Sequence, residues 1–319
     1  MKVLVVGGSG FVGTRLIKRL IDKGVDVGNV DKSESCFFSD LTMIGDVRES
    51  SQISEAATGK SVIINLAAEH RDDVTPRSLY DEVNVQGAKN VCAAARANNV
   101  NKIVFTSSVA VYGFAQPETD EGGKIAPFND YGRTKWEAEK IYRAWQDEDK
   151  KNRMLVIIRP TVIFGERNRG NVYNLFRQVA KNRFVMVGDG LNRKSMAYVE
   201  NVAAFIEYSL TFAPKVHVFN YIDQPDFTMN NLVSLVRFQL GRSNKVRVRL
   251  PLCVGILIGR VFDVLAYITK RKFSISAIRV QKFSKDSVYK SAVPSTGFVP
   301  ICSIEEAIEK GEKMLADAK

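Results

Sequence analysis

The chain has 319 residues, 45% of them hydrophobic and 25% charged, which is enough to bury one large or two modest cores, and it carries a formal net charge of +11. Cys36, Cys92, Cys253 and Cys302 show no paired spacing, and His70 and His217 are the only histidines. A disulfide framework, a zinc cluster and a histidine-based metal centre are therefore not expected.

Residues 2–6 (Lys-Val-Leu-Val-Val) are short, apolar and β-branched, the pattern of a buried parallel strand. Because the chain opens on this strand, no signal peptide is expected. Gly7-Gly8-Ser9-Gly10-Phe11-Val12-Gly13 follows, and helical periodicity runs from Thr14 to Asp22 through Leu16, Ile17, Leu20 and Ile21. This is a strand, a GxxGxxG turn and a helix, the context that a dinucleotide pyrophosphate requires. Gly7 permits the tight turn, Gly10 the approach of backbone to phosphate, and Gly13 close packing of the helix. The helix N-terminus supplies N–H donors and the positive end of its dipole. A second strand over 26–30 ends at Asp31, where a carboxylate would accept hydrogen bonds from the adenosine ribose and repel a 2′-phosphate, favouring NAD over NADP; the neighbouring Lys32 pulls the other way.

Strand and helix patterns continue to alternate. Residues 61–65 read as a strand leading into Leu66-Ala67-Ala68, 81–98 as a helix, and 102–106 as a strand that delivers Ser107 and Ser108. Residues 131–146 read as a long helix and 153–159 as a strand ended by Pro160. Such alternation implies an α/β fold with a parallel, doubly wound sheet, and ligands bind beyond the strand C-termini. After about Gly165 the alternation fades. Residues 168–182, 199–211 and 303–317 read as helices, with a turn at Gly188-Asp189-Gly190. The division expected is a dinucleotide-binding Rossmann domain over 1–165 and a smaller substrate-binding region over 166–319, some of whose segments return to the main sheet.

Tyr131 and Lys135 lie four residues apart on the helix that follows Ser108. Positions i and i+4 share a helix face, so the Lys135 ammonium can approach the Tyr131 phenol, favour the phenolate and lower its pKa. With the glycine turn, this pattern fits chemistry that moves a hydride and a proton at one carbon. A non-catalytic dinucleotide sensor would not need Ser108, Tyr131 and Lys135 together.

The charge is uneven. Residues 242–290 contain twelve Lys and Arg against Asp263 and Asp286 alone, which points to an anionic partner. Within this segment 250–268 is largely apolar but broken by Arg260 and Asp263, and Lys270-Arg271-Lys272 follows. A transmembrane span is not expected. Two readings remain open: a helix lying on a membrane with basic residues at lipid phosphates, or a buried helix of the second domain. No nucleic-acid-binding motif accompanies the charge, so that partner is not expected.

Taken together, the motifs resemble the extended short-chain dehydrogenase/reductase family, in its NAD-dependent epimerase/dehydratase branch, across nearly the whole chain. Val6 to Gly13 resembles the family's TGGxGFxG, and Gly45-Asp46-Val47-Arg48 its adenine-contacting GDxRD. Asn65-Leu66-Ala67-Ala68 resembles HLAA, Ser107 to Gly113 resembles SSxxVYG, Asp130 to Lys135 resembles PYGxSK, and Arg159 to Gly165 resembles RPxxVYG. The resemblance implies NAD contacts at Gly7, Gly10, Phe11, Val12, Gly13, Asp31, Asp46, Val47, Leu66, Ala67, Ala68, Tyr131, Lys135 and Pro160. It implies catalysis by Ser108, Tyr131 and Lys135, and a homodimer formed through two helices per subunit, one of them carrying Tyr131.

Dehydratases of this branch carry an Asp-Glu pair just after the catalytic hydroxyl residue; here Val109-Ala110 stands there, so dehydration is not expected. Nucleotide-sugar epimerases usually grip the UDP phosphates with an Arg after GDG and another in RPGD; this chain has Lys194, preceded by Arg193, and no RPGD. The stretches 67–74, 165–174 and 194–199 look most like the group that inverts C4 of N-acetylglucosamine on an undecaprenyl diphosphate carrier for surface polysaccharide. Candidate substrate contacts are Ser108, Glu69, His70, Arg71, Asn171, Arg193 and Lys194. The expected setting is cytoplasmic, peripheral on the inner face of the membrane. The alternatives are a UDP-N-acetylhexosamine 4-epimerase and an NAD(P)H-dependent 4-ketoreductase.

Overall fold

A computed structural model describes residues 1–71, 74–167, 170–246, 248–269 and 276–317. The chain forms two compact units, one made of Met1–Ile163, Ala197–Ile222 and Tyr289–Cys302, the other of Phe164–Met196, Asp223–Val288 and Ser303–Lys319.

The first unit is built on a seven-stranded sheet. Its strands are β1 (Lys2–Val6), β2 (Asp26–Asp31), β3 (Thr42–Ile44), β4 (Val62–Asn65), β5 (Lys102–Thr106), β6 (Met154–Pro160) and a strand over Val216–Tyr221. Their order is Val216–Tyr221, β6, β5, β4, β1, β2, β3, and each pairing is parallel. Strand order reverses between β1 and β4, and this is the switch point at which such sheets bind ligands. Side chains alternate across the sheet. Val3 and Val5 of β1 face one core with Leu16, Ile17 and Leu20 of α1 (Phe11–Asp22) and with Val202 and Phe205 of the helix Val199–Ser209. Leu4 and Val6 face the other core with Ile53 of α2 (Ser50–Ala56), Val91 and Ala95 of α3 (Gly87–Ala97) and Ala138, Tyr142 and Trp145 of α4 (Asp130–Asp147). Both faces are covered, as the doubly wound expectation requires, and each fully buried Val, Leu or Ile contributes roughly 1.5–3 kcal/mol relative to exposure.

Two local features differ from the expected elements. The helix read over 81–98 begins as a π-helical turn, Asp81–Gln86, before α3. The widened turn puts the Asn84 amide among buried backbone groups, where it hydrogen-bonds both the N–H and the C=O of Glu69. The strand Val216–Tyr221 joins β6 at the sheet edge through six register pairs, although its sequence has no long apolar run.

In the second unit, residues 193–196 of the strand Arg193–Tyr198 pair antiparallel with Asp223–Thr228, and Met186–Val187 pairs with Arg249–Leu250. The helix Asn171–Ala180 buries Val172, Phe176 and Val179, a stripe at helical spacing. The helices Met229–Gln239, Leu252–Thr269, Ala277–Ser284 and Ile304–Asp317 complete it. The first residues of the helix expected over 168–182, and the basic run Lys270-Arg271-Lys272, lie outside the described residues.

Candidate active site

The glycine turn follows β1 directly. Gly7 sits at φ +84°, and a Cβ there would lie 2.7 Å from the Ala67 backbone nitrogen, so only glycine lets the turn press against the segment leaving β4. Leu66 N–H bonds the Val6 carbonyl at 2.8 Å, and Asn65 Oδ1 accepts from Ala67 N–H at 3.0 Å, fixing Leu66-Ala67-Ala68 beside the turn. Asn29 of β2 holds it from the other side: its Oδ1 accepts from Gly8 N–H at 2.9 Å while its Nδ2 donates to the Ser9 and Thr42 hydroxyls. Asp31 accepts from Ser9 N–H and Ser33 N–H, both at 3.0 Å, so this carboxylate braces the turn.

The turn fits a pyrophosphate. Gly10, the N-cap of α1, has no side chain to cap the first turn, whose N–H groups suit an anionic ligand, and a Cβ built on Gly10 meets only the Gly7 carbonyl oxygen, at 3.3 Å. Asp46 is bound by Arg48, Nη2 to Oδ2 at 2.8 Å, and these bonds hold its carboxyl below the usual range. Val47 is buried against Gly87, and its carbonyl accepts from Asn90 Nδ2 at 2.9 Å. Phe11 lies under the Arg15 guanidinium and Val12 packs on the core, while Pro160 closes β6 and is buried.

Ser108 stands just past β5. It heads a short 3₁₀ turn over Val109–Tyr112, and its hydroxyl accepts from Ala110 N–H at 3.1 Å. Asn129 caps α4 by accepting from Gly132 N–H at 2.9 Å, and Tyr131 lies in the first helical turn. A Cβ on Gly132 would lie 2.4 Å from the Ala110 carbonyl oxygen, so glycine there lets the start of α4 abut the turn that carries Ser108. The Ser108 hydroxyl acts on the Tyr131 phenol in the direction that favours its ionisation. Lys135 is buried; its ammonium donates to the Thr106 carbonyl at 2.8 Å, lies 4.7 Å from the Phe105 ring centroid and 6.0 Å from that of Tyr131.

The electrostatics differ from the expectation of a lowered tyrosine pKa. Tyr131 is half-buried, and burial of its phenol pushes the pKa up to about 12 against the opposing influence of Ser108. Lys135 is itself pushed down to about 7 by burial, partly countered by the Glu139 carboxylate one helical turn further on. Desolvation outweighs a cation whose hydrogen bond is spent on a backbone carbonyl.

Beneath these residues lies a buried ion network that motif spacing did not suggest. Glu139 accepts from Ser107 Oγ at 2.6 Å, from Arg159 Nε at 2.8 Å and from Arg159 Nη2 at 2.6 Å. Arg159 Nη1 donates to the Tyr112 hydroxyl at 2.6 Å, and that hydroxyl donates to Asn220 Oδ1 at 2.8 Å. Burial opposes the Arg159 charge, but its bonds to Glu139 outweigh this and hold its pKa above the ordinary value. Thr134 of α4 accepts from Asn84 Nδ2 at 2.9 Å, tying the helix to the Glu69 backbone.

The expected substrate residues are placed unevenly. Glu69 is buried, and its carboxylate pairs with Arg71 Nε at 3.2 Å and accepts from His70 N–H; His70 itself is exposed. The Glu69 pKa lies below the usual range, because the Arg71 bonds more than offset burial. Asn171, Arg193 and Lys194 belong to the second unit. Asn171 opens its helix and is exposed. Arg193 N–H donates to Asp286 Oδ1 at 2.7 Å, and Lys194 Nζ donates to the Lys285 carbonyl at 2.6 Å, with its pKa pushed down to about 8 by burial.

Residues 3–221 match the NAD dependent epimerase/dehydratase family. The chain is 47% identical over 310 residues, 97% of its length and 93% of the relative's, to an N-acetyl-alpha-D-glucosaminyl-diphospho-ditrans,octacis-undecaprenol 4-epimerase of Escherichia coli O157:H7. It is 31% identical to a UDP-glucose 4-epimerase of Vibrio cholerae, over 64% of this chain and 65% of that one. Its fold is shared with the NAD complex of a UDP-glucuronic acid 4-epimerase from Bacillus cereus, at a TM-score of 0.78 and 17% identity over 100% of this chain and 99% of that one. The chain belongs to the NAD-dependent epimerase/dehydratase family.

Proposed function

We propose that this protein is an NAD-dependent sugar 4-epimerase that inverts C4 of N-acetylglucosamine carried on undecaprenyl diphosphate, at the inner face of the cytoplasmic membrane, in the synthesis of surface polysaccharide. The observation that carries the substrate is the reach of the 47% identity. It extends over 97% of the chain, second unit included, whereas the match to the Vibrio UDP-glucose enzyme covers 64%. Lys194 in place of a phosphate-gripping arginine and Val109-Ala110 in place of an acid pair fit the same reading.

In this reading the glycine turn and the first turn of α1 hold the NAD pyrophosphate, Asp31 the adenosine ribose, and Asp46 and Val47 the adenine, while Leu66, Ala67, Ala68 and Pro160 flank the cofactor. Bound NAD would supply a hydride acceptor for the sugar C4. Tyr131 takes the proton of the C4 hydroxyl and returns it to the opposite epimer. Ser108 donates a hydrogen bond to the same oxygen, so developing charge meets a fixed donor. Lys135 holds the tyrosine and the nicotinamide ribose. The 4-keto sugar would turn over in the site before the reverse transfer, so no net oxidation would result. Glu69, His70, Arg71, Asn171, Arg193 and Lys194 are the candidates for sugar and diphosphate contacts, and a homodimer whose interface includes α4 is expected by family analogy.

The test offers purified protein lipid-diphosphate-linked N-acetylglucosamine in detergent and, in parallel, UDP-N-acetylglucosamine, with no added reductant. Conversion of the lipid-linked sugar to its C4 epimer supports the proposal. Conversion of the UDP-sugar alone makes the protein a nucleotide-sugar epimerase, and conversion of neither favours the ketoreductase alternative.

A further inference from the structure

The helix Leu252–Thr269 is built inside out. Its only buried residues are Gly255 and Gly259. A Cβ on Gly259 would lie 2.6 Å from the Ala277 backbone nitrogen, and one on Gly255 would lie 2.5 Å from Val187 Cγ1. The inner seam therefore rests on the helix Ala277–Ser284 and on Val187 at near-backbone distance, with no room for large side chains. These point outward: Leu257 is 62% exposed, Val261 51%, Val264 57% and Ile268 68%. At spacings i, i+4, i+7 and i+11 they form one line along the helix, which has a mean hydropathy of 1.9. The sequence left open whether this helix is core or surface; its burial pattern is that of a surface facing an apolar medium.

The charges around it identify the medium. The segment 242–290 carries twelve Lys and Arg against two acids. Both acids are exposed but each accepts a backbone hydrogen bond, Asp263 Oδ2 from Ala277 N–H at 3.1 Å and Asp286 Oδ1 from Arg193 N–H at 2.7 Å. The segment as a whole stays strongly basic, and Arg260 is exposed beside the apolar line. A second copy of the chain on this face would set two strongly basic segments against each other; an anionic lipid surface would neutralise them. The helix does not span. Arg260 and Asp263 interrupt its middle, and the strand Arg249–Leu250, two residues before it, is paired to Met186–Val187.

We propose that Leu252–Thr269 docks in the plane of an anionic bilayer, with Leu257, Val261, Val264 and Ile268 among the acyl chains and the neighbouring basic residues at the headgroup phosphates. This deepens the proposed function, since it would hold the enzyme where a polyprenyl-linked substrate lies, but docking itself needs no substrate.

The experiment uses the full chain with vesicles of phosphatidylcholine alone and of phosphatidylcholine with phosphatidylglycerol. Flotation with the anionic vesicles, weakened by salt, is expected, and Leu257→Glu/Val264→Glu should lower partitioning by about tenfold or more while leaving turnover of a detergent-dispersed substrate unchanged. Val264→Trp gives a second readout, a blue shift of tryptophan emission on adding anionic vesicles. Equal flotation of wild type and the double variant, or no emission shift, overturns the proposal. So does a vesicle-independent dimer that the double variant dissociates, which would make the face a contact between copies. Vesicle binding without turnover of lipid-linked sugar would sink the proposed function and leave docking intact; turnover in detergent without vesicle binding would do the reverse.

Discussion

Glu139→Gln is the sharpest probe of what holds the site in place. The native carboxylate is fully buried, and its Oε2 faces Arg159 Nη2 at 2.6 Å while Oε1 takes Arg159 Nε at 2.8 Å and Ser107 Oγ at 2.6 Å. An amide of the same shape can present its oxygen to only one of these edges. Its NH₂ then meets a guanidinium N–H in either orientation, and Arg159 is left as a buried charge without its counter-ion. Breaking a buried pair in this way costs about 3–5 kcal/mol, and Arg159→Met, which strands Glu139, should cost a similar amount. The double variant removes both charges together, so its cost should fall short of the sum by about 1–3 kcal/mol. Urea unfolding of the four proteins, compared at equal slope, measures each corner of the cycle. A Glu139→Gln cost below about 1 kcal/mol, or strict additivity, would contradict the view that this pair is a desolvated, mutually dependent unit.

Tyr131→Phe should retain NAD and overall stability while turnover falls by about 10²–10⁴-fold, measured by isothermal titration and product analysis; near-normal turnover would remove Tyr131 from proton transfer. Lys135→Met tests the buried ammonium through pH. With Lys135 at about 7 in the fold and 10.5 as a free side chain, the penalty for burying its charge is complete below pH 7 and disappears as pH rises toward 10.5, so wild-type stability should gain over that window. The Met variant should lose that gain in cofactor-free unfolding, and identical pH slopes for the two proteins would count against the assignment. Thiol alkylation of the native protein should label Cys36 and Cys253, which are exposed, and spare Cys302 and Cys92, the latter buried with its pKa pushed up to about 12. Fast labelling of Cys92 without unfolding would contradict the packing between sheet and α3.

What the sequence disclosed was local. A β-branched strand running into spaced glycines constrains its own backbone, so the turn from Gly7 to Gly13 and the convergence of Asp31, Leu66, Ser108 and Pro160 on strand ends were readable without tertiary information. Tyr131 and Lys135 were readable as a pair because helical spacing puts them on one face. Their ionisation was not, because it depends on burial supplied by distant elements: the ammonium spends its bond on the Thr106 carbonyl, and desolvation then dominates both groups. Glu139 was hidden for a related reason. A glutamate one turn beyond a lysine looks like a solvated ion pair, and only the placement of β6 beneath α4 brings Arg159 to it. Asn84 lay in what reads as ordinary helix, and its clamp on Glu69 needs the π-helical turn. In the second unit, the apolar pattern of 250–268 was compatible with either core or surface, and the choice rests on which residues meet Ala277, a contact that no local pattern encodes.

The central claim is tested most directly by lipid-diphosphate-linked N-acetylglucosamine carrying deuterium at C4, incubated with the NAD-loaded protein in ordinary water. The account predicts the C4 epimer with deuterium still at C4, no solvent hydrogen there and no accumulation of reduced cofactor. Epimer that has lost its label to solvent would contradict inversion by a hydride that leaves and returns within one site, and recovery of unchanged substrate alone would contradict the assignment of the lipid-linked sugar.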